Sequence, residues 1–278
     1  NFLSLVINIP TGGSKGIGLA TLELLLQQNI NVLSISRSTP PELDALSSTY
    51  QGALVISKGD VSNDDDNKQA VEMCMQSFGR LDALILNAGT LHPLGTHRNL
   101  GGSTLSEYKQ LFSINFFSLV SILSHSLPYL TSRESKSLSS SSDPAGRVIL
   151  VSSGAAVGGV AGWGAYNASK AALNSLGRTL ASEEEDLVVV SVRPGVVGTE
   201  MQEKIREIGK DHMTSKDLEK FMGIHERGEL LLPSQPGRAL ASLALRATRD
   251  MSGEFLNWND ERVEAVLFEK KEGIADKK

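Results

Sequence analysis

Short apolar runs alternate along the chain with longer segments whose apolar residues recur at helical spacing. The runs occupy residues 3–9, 31–36, 53–57, 81–86, 147–152 and 187–193, and a weaker one lies at 253–258. Runs rich in Val, Ile and Leu are typical of strands buried on both faces, and helices between such strands connect parallel neighbours. The pattern predicts an α/β fold with a doubly wound parallel sheet of about seven strands and helices on both faces.

Three stretches depart from this alternation. Pro10 ends the first run and removes a donor from a strand that should be central. Either the strand tolerates proline at its last residue, or the N-terminal residues depart from the usual strand entry. Residues 132–142 are rich in serine, which favours a surface loop. Residues 200–232 place apolar side chains amid charges, which indicates amphipathic helices that either form a substrate lid or pack as core.

Composition limits the class of protein. The chain has 278 residues, 40% of them hydrophobic, which suffices for one domain over residues 1–278. Its net charge is −5 without a basic tract, which argues against a nucleic-acid or anionic-membrane partner, and the apolar start is too short to span a bilayer. The one cysteine, Cys74, has apolar neighbours at helical spacing, so we expect a buried thiol in a cytoplasmic protein. The five histidines lack metal-ligand spacing, so no metal site is predicted.

Glycines cluster between the first apolar run and the first helical segment. Residues 11–18 read Thr-Gly-Gly-Ser-Lys-Gly-Ile-Gly, with the spacing Gly-x-x-x-Gly-x-Gly. Between a strand and a helix, glycines let the backbone approach a pyrophosphate, whose charge the helix N-terminus favours. The turn therefore predicts a dinucleotide site. Its candidate residues are Gly12, Ser14, Lys15, Gly16, Ile17 and Gly18.

Charges after the second strand favour the phosphorylated dinucleotide. Proteins that bind NAD(H) carry an acidic residue about 20 residues past the glycines, which accepts hydrogen bonds from the ribose hydroxyls. Here the strand ends in Arg37 and Ser38, and the next carboxylate is Glu42. Arg37 is suited to bind a 2′-phosphate, and Lys15 adds a second cation. The sequence thus favours NADP(H) over NAD(H); the alternative is that both side chains are solvated surface cations.

Tyr166 and Lys170 lie four residues apart in a helical segment, downstream of Ser153. Residues at this spacing share one helix face, so the ammonium can favour ionisation of the phenol. An unperturbed phenol, with a pKa of about 10, exchanges protons poorly at neutral pH, and a neighbouring cation improves this. Such a pair is also common on the surface of amphipathic helices. Its combination with the glycine turn favours a proton donor at a dinucleotide site.

With the glycine turn, the Tyr-x-x-x-Lys pair and the upstream serine in this order, the chain resembles the short-chain dehydrogenase/reductase family over nearly its whole length. The resemblance implies a single Rossmann-type domain and hydride transfer, with Ser153 bonding a carbonyl oxygen and Tyr166 delivering the proton. It implies that Lys170 also holds the nicotinamide ribose, and that Asn115 holds a helix distortion and a water that resupplies the proton. Ser152 is the register alternative to Ser153.

Further segments resemble the family's cofactor site. Asp60 in Gly-Asp-Val resembles the residue that contacts the adenine, residues 87–89 the turn beneath it, and residues 193–199 the segment that seats the carboxamide. The implied cofactor residues are Asp60, Val61, Asn87, Ala88, Gly89, Pro194, Gly195, Val197 and Thr199, together with Tyr166 and Lys170. Trp163 and Met201 are candidates for substrate contact, although core packing explains Trp163 equally.

Residues 114–118, 163–174, 194–202 and 257–260 further resemble fungal reductases related to sepiapterin reductase and benzil reductase. Where sepiapterin reductases place an aspartate that grips the pterin, this chain has Asn257, with Asp260 as a shifted candidate. We therefore expect NADPH-dependent reduction of a small ketone or diketone by a homodimer or homotetramer. The alternatives are a pterin carbonyl reductase, a non-catalytic redox-sensing regulator that binds NAD(P), and a sugar-nucleotide epimerase, which normally needs a larger C-terminal region.

Overall fold

The computed structural model describes residues 4–9, 15–98, 105–132 and 143–269, and residues 4–9 as backbone. Its strands are β1 (Ser4–Ile9), β2 (Asn31–Ser36), β3 (Leu54–Lys58), β4 (Ala83–Leu86), β5 (Gly146–Val151), β6 (Leu187–Arg193) and β7 (Phe255–Asn257). Its helices are α1 (Gly16–Gln27), α2 (Pro41–Thr49), α3 (Asp64–Phe78), α4 (Leu105–Phe112), α5 (Ser118–Leu130), α6 (Gly164–Glu183), α7 (Glu200–Ile208), α8 (Ser215–Glu226), α9 (Ser234–Arg246) and α10 (Glu261–Val266). A π-helical turn (Ser113–Phe117) joins α4 to α5. Pro10, Gly12, Ser14 and the serine-rich stretch beyond Ser132 lie outside the described residues.

The strands form one parallel sheet of order β3-β2-β1-β4-β5-β6-β7. The chain builds outward from β1 in one direction and then crosses back to β4, so the strand order reverses between β1 and β4. This reversal is the topological switch point beside which open α/β sheets bind ligands. The predicted doubly wound α/β fold is confirmed.

Strand ends differ slightly from the predicted runs. The run at 81–86 becomes a strand only at Ala83, because the turn before it is fixed by Arg80, whose Nε and Nη2 donate to the Asp82 carboxylate at 2.9 and 2.7 Å. The weak run at 253–258 contracts to the three residues of β7, which pair only with β6. The apolar pattern therefore located each strand and missed where the turns begin.

Alternate residues of the central strands enter two separate cores, one on each face of the sheet. Ile85 and Ile149 pack against α1 and α9, in a cluster that includes Leu25 and Leu240. The strand neighbours of those isoleucines face the opposite way, toward α3, α5 and α6. They are Leu84, Leu86, Val148 and Leu150. Because both faces are covered, the strands carry continuous apolar runs rather than an alternating pattern.

Helix α3 shows how the sequence sets local boundaries. The Asn63 side chain accepts from the backbone N–H groups of Asp65 and Asp66, and Gly79 ends the helix with φ of 71°. An asparagine cap and a left-handed glycine are the usual signals at these two positions. The helix also carries Cys74, which is buried, and burial raises the pKa of its thiol to about 12. The prediction of a buried thiol is confirmed.

From Leu105 to Leu130 the chain forms one helical stretch of 26 residues through α4, the π-helical turn and α5. Among the described residues this is the one helix long and apolar enough to cross a membrane, with a mean hydropathy of 1.4 over its 18-residue window. Core helices of soluble proteins meet the same criterion. Here Leu119 and Ile122 of α5 pack into the core beside α3 and α6.

Candidate active site

A cleft of about 580 Å³ opens at the carboxyl ends of the central strands. The glycine turn and the end of β2 form one side, with Lys15, Gly16 and Arg37. Tyr166 and Lys170 of α6 lie on its other side, and α7 forms an outer wall. The cleft therefore joins the predicted dinucleotide residues to the predicted proton donor.

The structure brings many of the predicted site residues to the surface of this cleft. They are Lys15, Gly16, Ile17, Arg37, Ser38, Asn87, Gly89, Tyr166, Lys170, Pro194, Thr199 and Met201. Other predicted residues lie behind or beside its walls. They are Gly18, Asp60, Val61, Ala88, Asn115, Ser153, Trp163, Gly195 and Val197.

The glycine turn lies against the segment that follows β6. Gly16 has φ of 55°, and a Cβ there would lie 3.0 Å from Thr199 Cγ2, so a side chain would crowd the approach. Lys15 extends from the same turn to Glu200, with Nζ 2.6 Å from Oε1. This contact raises the pKa of Lys15 and lowers that of Glu200, and in both the mutual hydrogen bond is the largest cause.

Arg37 and Asp60 face each other beside the cleft. Arg37 Nη1 lies 4.0 Å from Asp60 Oδ2, and both side chains are exposed. The Asp60 carboxylate also accepts hydrogen bonds from the backbone N–H of Ser62 at 2.9 Å and from its hydroxyl at 2.8 Å. Asp60 thereby holds the turn after β3 and leaves the guanidinium partly in solvent. Exposed pairs of this kind contribute at most about 1 kcal/mol, so Arg37 can exchange this carboxylate for another anion.

Tyr166 is 6% exposed and lies near the start of α6. Burial raises the pKa of its phenol, and a hydrogen bond shared with the Ser153 hydroxyl lowers it. The influence that we predicted from Lys170 is not among these causes. The phenol is thus protonated at neutral pH. Ser153 also caps the turn at 154–156, where its Oγ accepts from Ala155 N at 3.2 Å.

Lys170 is 3% exposed, and its Nζ donates to the carbonyl oxygen of Val151 at 2.7 Å. The same nitrogen lies 5.8 Å from the centre of the Tyr166 ring. Burial lowers the pKa of the ammonium to about 8. A Cβ at Gly89 would lie 3.5 Å from Nζ, in ordinary van der Waals contact, so the 87–89 turn borders the ammonium. The lysine is therefore held at the junction of β5, α6 and the 87–89 turn.

Asn115 lies in the π-helical turn and is fully buried. Its Oδ1 accepts from Thr90 N at 2.7 Å, and its Nδ2 donates to Thr90 O at 2.9 Å and to Ser169 Oγ at 3.1 Å. The residue ties the helical stretch to the segment after β4 and to α6. The helix distortion that the resemblance implied at Asn115 is present.

Trp163 packs between the catalytic candidate and the outer helices. Its ring meets the Tyr166 ring edge-on at 5.7 Å and stacks on Phe221 of α8 at 5.3 Å. Trp163 is 5% exposed and belongs to a third apolar cluster that also holds Ile205 of α7. Between the two interpretations of Trp163, the structure favours packing. The chain's other tryptophan, Trp258, lies against Gly195, where a Cβ would be 3.1 Å from its Nε1.

The residues of the cleft fit a nicotinamide dinucleotide. The 12-residue helix α1 begins at the cleft, where Gly16 and Thr199 lie close together. At its other end, Ser152 lines the wall, and its buried Oγ has no hydrogen-bond partner among the described residues. A buried hydroxyl without a partner is costly, which suits a site whose ligand completes the bonding. Ser152 and Ser153 thus differ in setting: the first faces the cleft and the second bonds Tyr166.

Sequence reasoning missed several residues of the cleft wall. Those not predicted as site residues include Thr90, Leu91, His92, Leu94, Gln110, Ile114, Glu200, Lys204 and Ile208. The helical spacing of Glu200, Met201, Lys204 and Ile208 on one side of α7 was the available signal. Because α7 carries charges among these positions, its apolar pattern alone did not separate a cleft-facing side from a solvent-facing one.

A second cleft, of about 470 Å³, lies near the amino ends of β5 and β6, at the opposite ends of the strands from the first cleft. It is lined by the acidic residues 183–186 with Thr131 and Arg249. Arg249 Nη2 lies 3.2 Å from Asp186 Oδ1, so the basic side chain is already paired there. No group of three His, Cys, Asp or Glu side chains suited to hold a metal occurs in the described part of the chain.

Known proteins resemble this chain over most of its length. The family model described as short chain dehydrogenase matches residues 7–209. An uncharacterised oxidoreductase of Schizosaccharomyces pombe is 40% identical over 89% of this chain and 94% of its own length. A benzil reductase ((S)-benzoin forming) of Saccharomyces cerevisiae is 35% identical over 92% of this chain and 97% of its own length. The crystal structure of a short chain dehydrogenase/reductase from Saccharomyces cerevisiae superposes with a TM-score of 0.85 at 33% identity, covering 95% of this chain and 99% of that one.

Proposed function

The chain belongs to the short-chain dehydrogenase family of oxidoreductases, and from that premise we propose that it is an NADPH-dependent reductase of ketones or diketones. The observation that carries the proposal is the meeting of Tyr166 and Lys170 in one cleft whose far side is the end of the glycine turn, with Ser153 bonded to Tyr166 beside it. A protein that only binds the dinucleotide needs the glycine turn, but it does not need a buried phenol beside a buried ammonium.

In the proposed step a carbonyl carbon gains a hydride and its oxygen gains a proton, so the ketone becomes an alcohol. The bound nicotinamide supplies the hydride. Ser153 donates a hydrogen bond to the carbonyl oxygen, and Tyr166 transfers its hydroxyl proton to that oxygen as negative charge develops. Because burial raises the pKa of Tyr166, the phenol is present in the protonated form that a donor needs at neutral pH.

Lys170 and Asn115 act through position in this proposal. The Lys170 ammonium is held by Val151 O, and it offers further N–H donors to a ribose. Asn115 fixes Thr90 and Ser169 around the same pocket, and the π-helical turn allows it to reach both. Resupply of the Tyr166 proton through a water near Asn115 is part of the proposal.

Arg37 and Lys15 support NADP(H) as the preferred cofactor. Both line the half of the cleft formed by the glycine turn and β2, and no carboxylate follows β2 before Glu42. Arg37 holds Asp60 only at 4.0 Å, and that residue is the one assigned to the adenine by resemblance. A 2′-phosphate between Arg37 and Lys15 would place two cations on a doubly charged anion.

The substrate end of the cleft is mainly apolar, which supports a ketone with hydrocarbon or aryl substituents. Its wall includes Leu91, Leu94, Ile114, Met201 and Ile208. The similarity to a benzil reductase, an enzyme named for an aromatic diketone, points the same way. A pterin is less well supported, since Asp260 caps α10 and its Oδ1 lies 3.2 Å from Arg262 Nε.

We assign residues 200–232 as the substrate lid and a homo-oligomer as the assembly. Helices α7 and α8 lie over Trp163 and Tyr166, and α7 lines the cleft. Phe117, at the end of the π-helical turn, and Val120 of α5 are 57% and 42% exposed and lie three residues apart on the same helical stretch. Large apolar side chains so exposed on one ridge suit packing against a second copy.

The test is a cofactor-oxidation screen. Purified protein is mixed with NADPH and a panel of aliphatic and aromatic ketones and diketones, and the nicotinamide absorbance is followed. We expect turnover of at least one diketone, and a loss of about 10²-fold or more in kcat for Tyr166→Phe, which removes the proton donor and leaves the ring. Dinucleotide affinity of this variant, read by NADPH fluorescence, should stay near that of the unmodified protein.

The cofactor arm of the screen compares NADPH with NADH. We expect a preference for NADPH that moves toward NADH in Arg37→Asp, because the carboxylate repels a 2′-phosphate and accepts bonds from ribose hydroxyls. Equal use of both cofactors by the unmodified protein would contradict the assignment. Tight binding of NADPH without turnover of any ketone would instead support the redox-sensing regulator.

A further inference from the structure

The contact between Lys15 and Glu200 joins two parts of the cleft that are far apart in sequence. Lys15 is the last residue before α1 in the glycine turn, and Glu200 is the first residue of α7. Their side chains meet at 2.6 Å, and both residues line the cleft. Each is more than half exposed, so the pair bridges the mouth of the cleft and not its interior.

The residues next to this pair also approach each other. Thr199, next to Glu200, packs on Gly16, next to Lys15. The segment that precedes Thr199 is anchored by main-chain bonds, in which Gly198 N donates to Leu231 O and Leu231 N donates to Val196 O, each at 2.9 Å. The chain entering α7 is thus held in place, and the hydrogen bond between Lys15 and Glu200 joins the first turn of α7 to the described end of the glycine turn.

We propose that Glu200 is a positioning residue that, through Lys15, holds α7 closed over a bound dinucleotide and slows its release. The inference rests on the proposed function for the presence of that ligand. Lysine has three N–H donors, so Lys15 can bond Glu200 and a phosphate oxygen together. For a ligand to leave through the mouth of the cleft, the glycine turn and α7 must separate. This separation breaks the bond between Lys15 and Glu200. Glu200 itself is assigned to neither the 2′-phosphate nor the carbonyl substrate, so its removal should speed the release of both NADPH and NADH.

The experiment measures dinucleotide dissociation in a stopped-flow instrument. Protein loaded with NADPH or NADH is mixed with excess oxidised cofactor, and the decay of bound-nicotinamide fluorescence gives the rate constant. We expect Glu200→Gln to raise this rate constant about two- to five-fold for both cofactors, the range that an exposed ion pair supports. The increase should shrink in about 1 M salt, where charges are screened within about 3 Å.

Two further variants isolate the pair. Glu203→Gln makes the same charge change on an exposed side chain of the same helix that does not line the cleft, and its rate constants should match the unmodified protein. With NADH, which lacks the 2′-phosphate, Lys15→Gln should give the same increase as Glu200→Gln, and the double variant should show no further increase.

Unchanged release from Glu200→Gln, or additive effects in the double variant, would overturn the inference and leave the proposed function intact. Slower release of NADPH alone would also overturn it, since Glu200 would then compete with the phosphate for Lys15. If the unmodified protein bound neither dinucleotide, the proposed function and this inference would fall together.

Discussion

Lys170 places an ammonium inside the protein, and its surroundings decide in which protonation state it remains. Its partner is a single carbonyl, Val151 O, and burial lowers its pKa from 10.5 to about 8. Spacing predicted that Lys170 shares a helix face with Tyr166. It could not predict the bond to Val151, which depends on how α6 packs on β5, nor that burial would be the largest influence on the Tyr166 pKa.

The depressed pKa of Lys170 has a measurable effect on stability. Between the folded pKa of about 8 and the unfolded value of 10.5, the unfolded chain holds the proton and the folded chain does not, so folding becomes more favourable as pH rises through this window. Relative to Lys170→Met, which does not titrate, the unmodified protein should gain about 2 kcal/mol of unfolding free energy between about pH 7.5 and about pH 9.5. Urea denaturation of the cofactor-free proteins at the two pH values measures this difference. A constant gap between them would mean that Lys170 titrates normally in the folded state.

At the scale of elements, the loop before α6 determines where Trp163 and Tyr166 lie. Gly162 has φ of 81°, and a Cβ there would overlap the backbone carbonyl of His212, which lies between α7 and α8. Its own carbonyl accepts from Gly95 N at 2.8 Å. Sequence reasoning predicted α6 and the amphipathic helices that follow β6. It could not predict the crossing of the Gly162 loop and the His212 backbone, because a glycine in a loop gives no sign of what approaches it. The π-helical turn was likewise expected from the resemblance and not from apolar spacing.

Gly162→Ala should therefore destabilise the fold and loosen the outer helices. We expect a loss of about 1–3 kcal/mol in unfolding free energy, from the positive φ and from the overlap with His212. The matched control is Gly159→Ala in the same loop, where a Cβ meets nothing within 4 Å and the φ is not left-handed. Thermal and urea unfolding compare the two variants, and equal stability would show that the crossing is not as tight as described.

At the scale of the whole molecule, one sheet separates two cores, and the candidate site residues lie at the carboxyl ends of its strands. The apolar runs predicted the parallel sheet, and their carboxyl ends carried the candidate residues, so the position of the cleft followed from the sequence. Apolar runs alone do not fix the strand order, because pairing between segments such as β1 and β4 leaves no mark on local periodicity. Glu200, the partner of Lys15, was missed for the same reason, because Lys15 and Glu200 are 185 positions apart in the sequence.

The exposed side chains of Phe117 and Val120 give a prediction about assembly. Phe117→Glu places a charge on the most exposed side chain of the Phe117 and Val120 ridge, and we expect it to convert a dimer or tetramer into a smaller species. Size-exclusion chromatography with light scattering measures the mass. Val157→Glu, at a valine 69% exposed in the turn after β5, is the control and should leave the mass unchanged. A monomeric unmodified protein would contradict the assignment.

The placement of the two indoles has a practical consequence. Trp163 lies under α8 and against Tyr166, and Trp258 lies against Gly195, so the chain's whole complement of tryptophan flanks the cleft from two directions. The tryptophan emission of the unlabelled polypeptide therefore originates beside the site. Quenching, or energy transfer to a reduced nicotinamide, would report on occupancy there without any introduced dye.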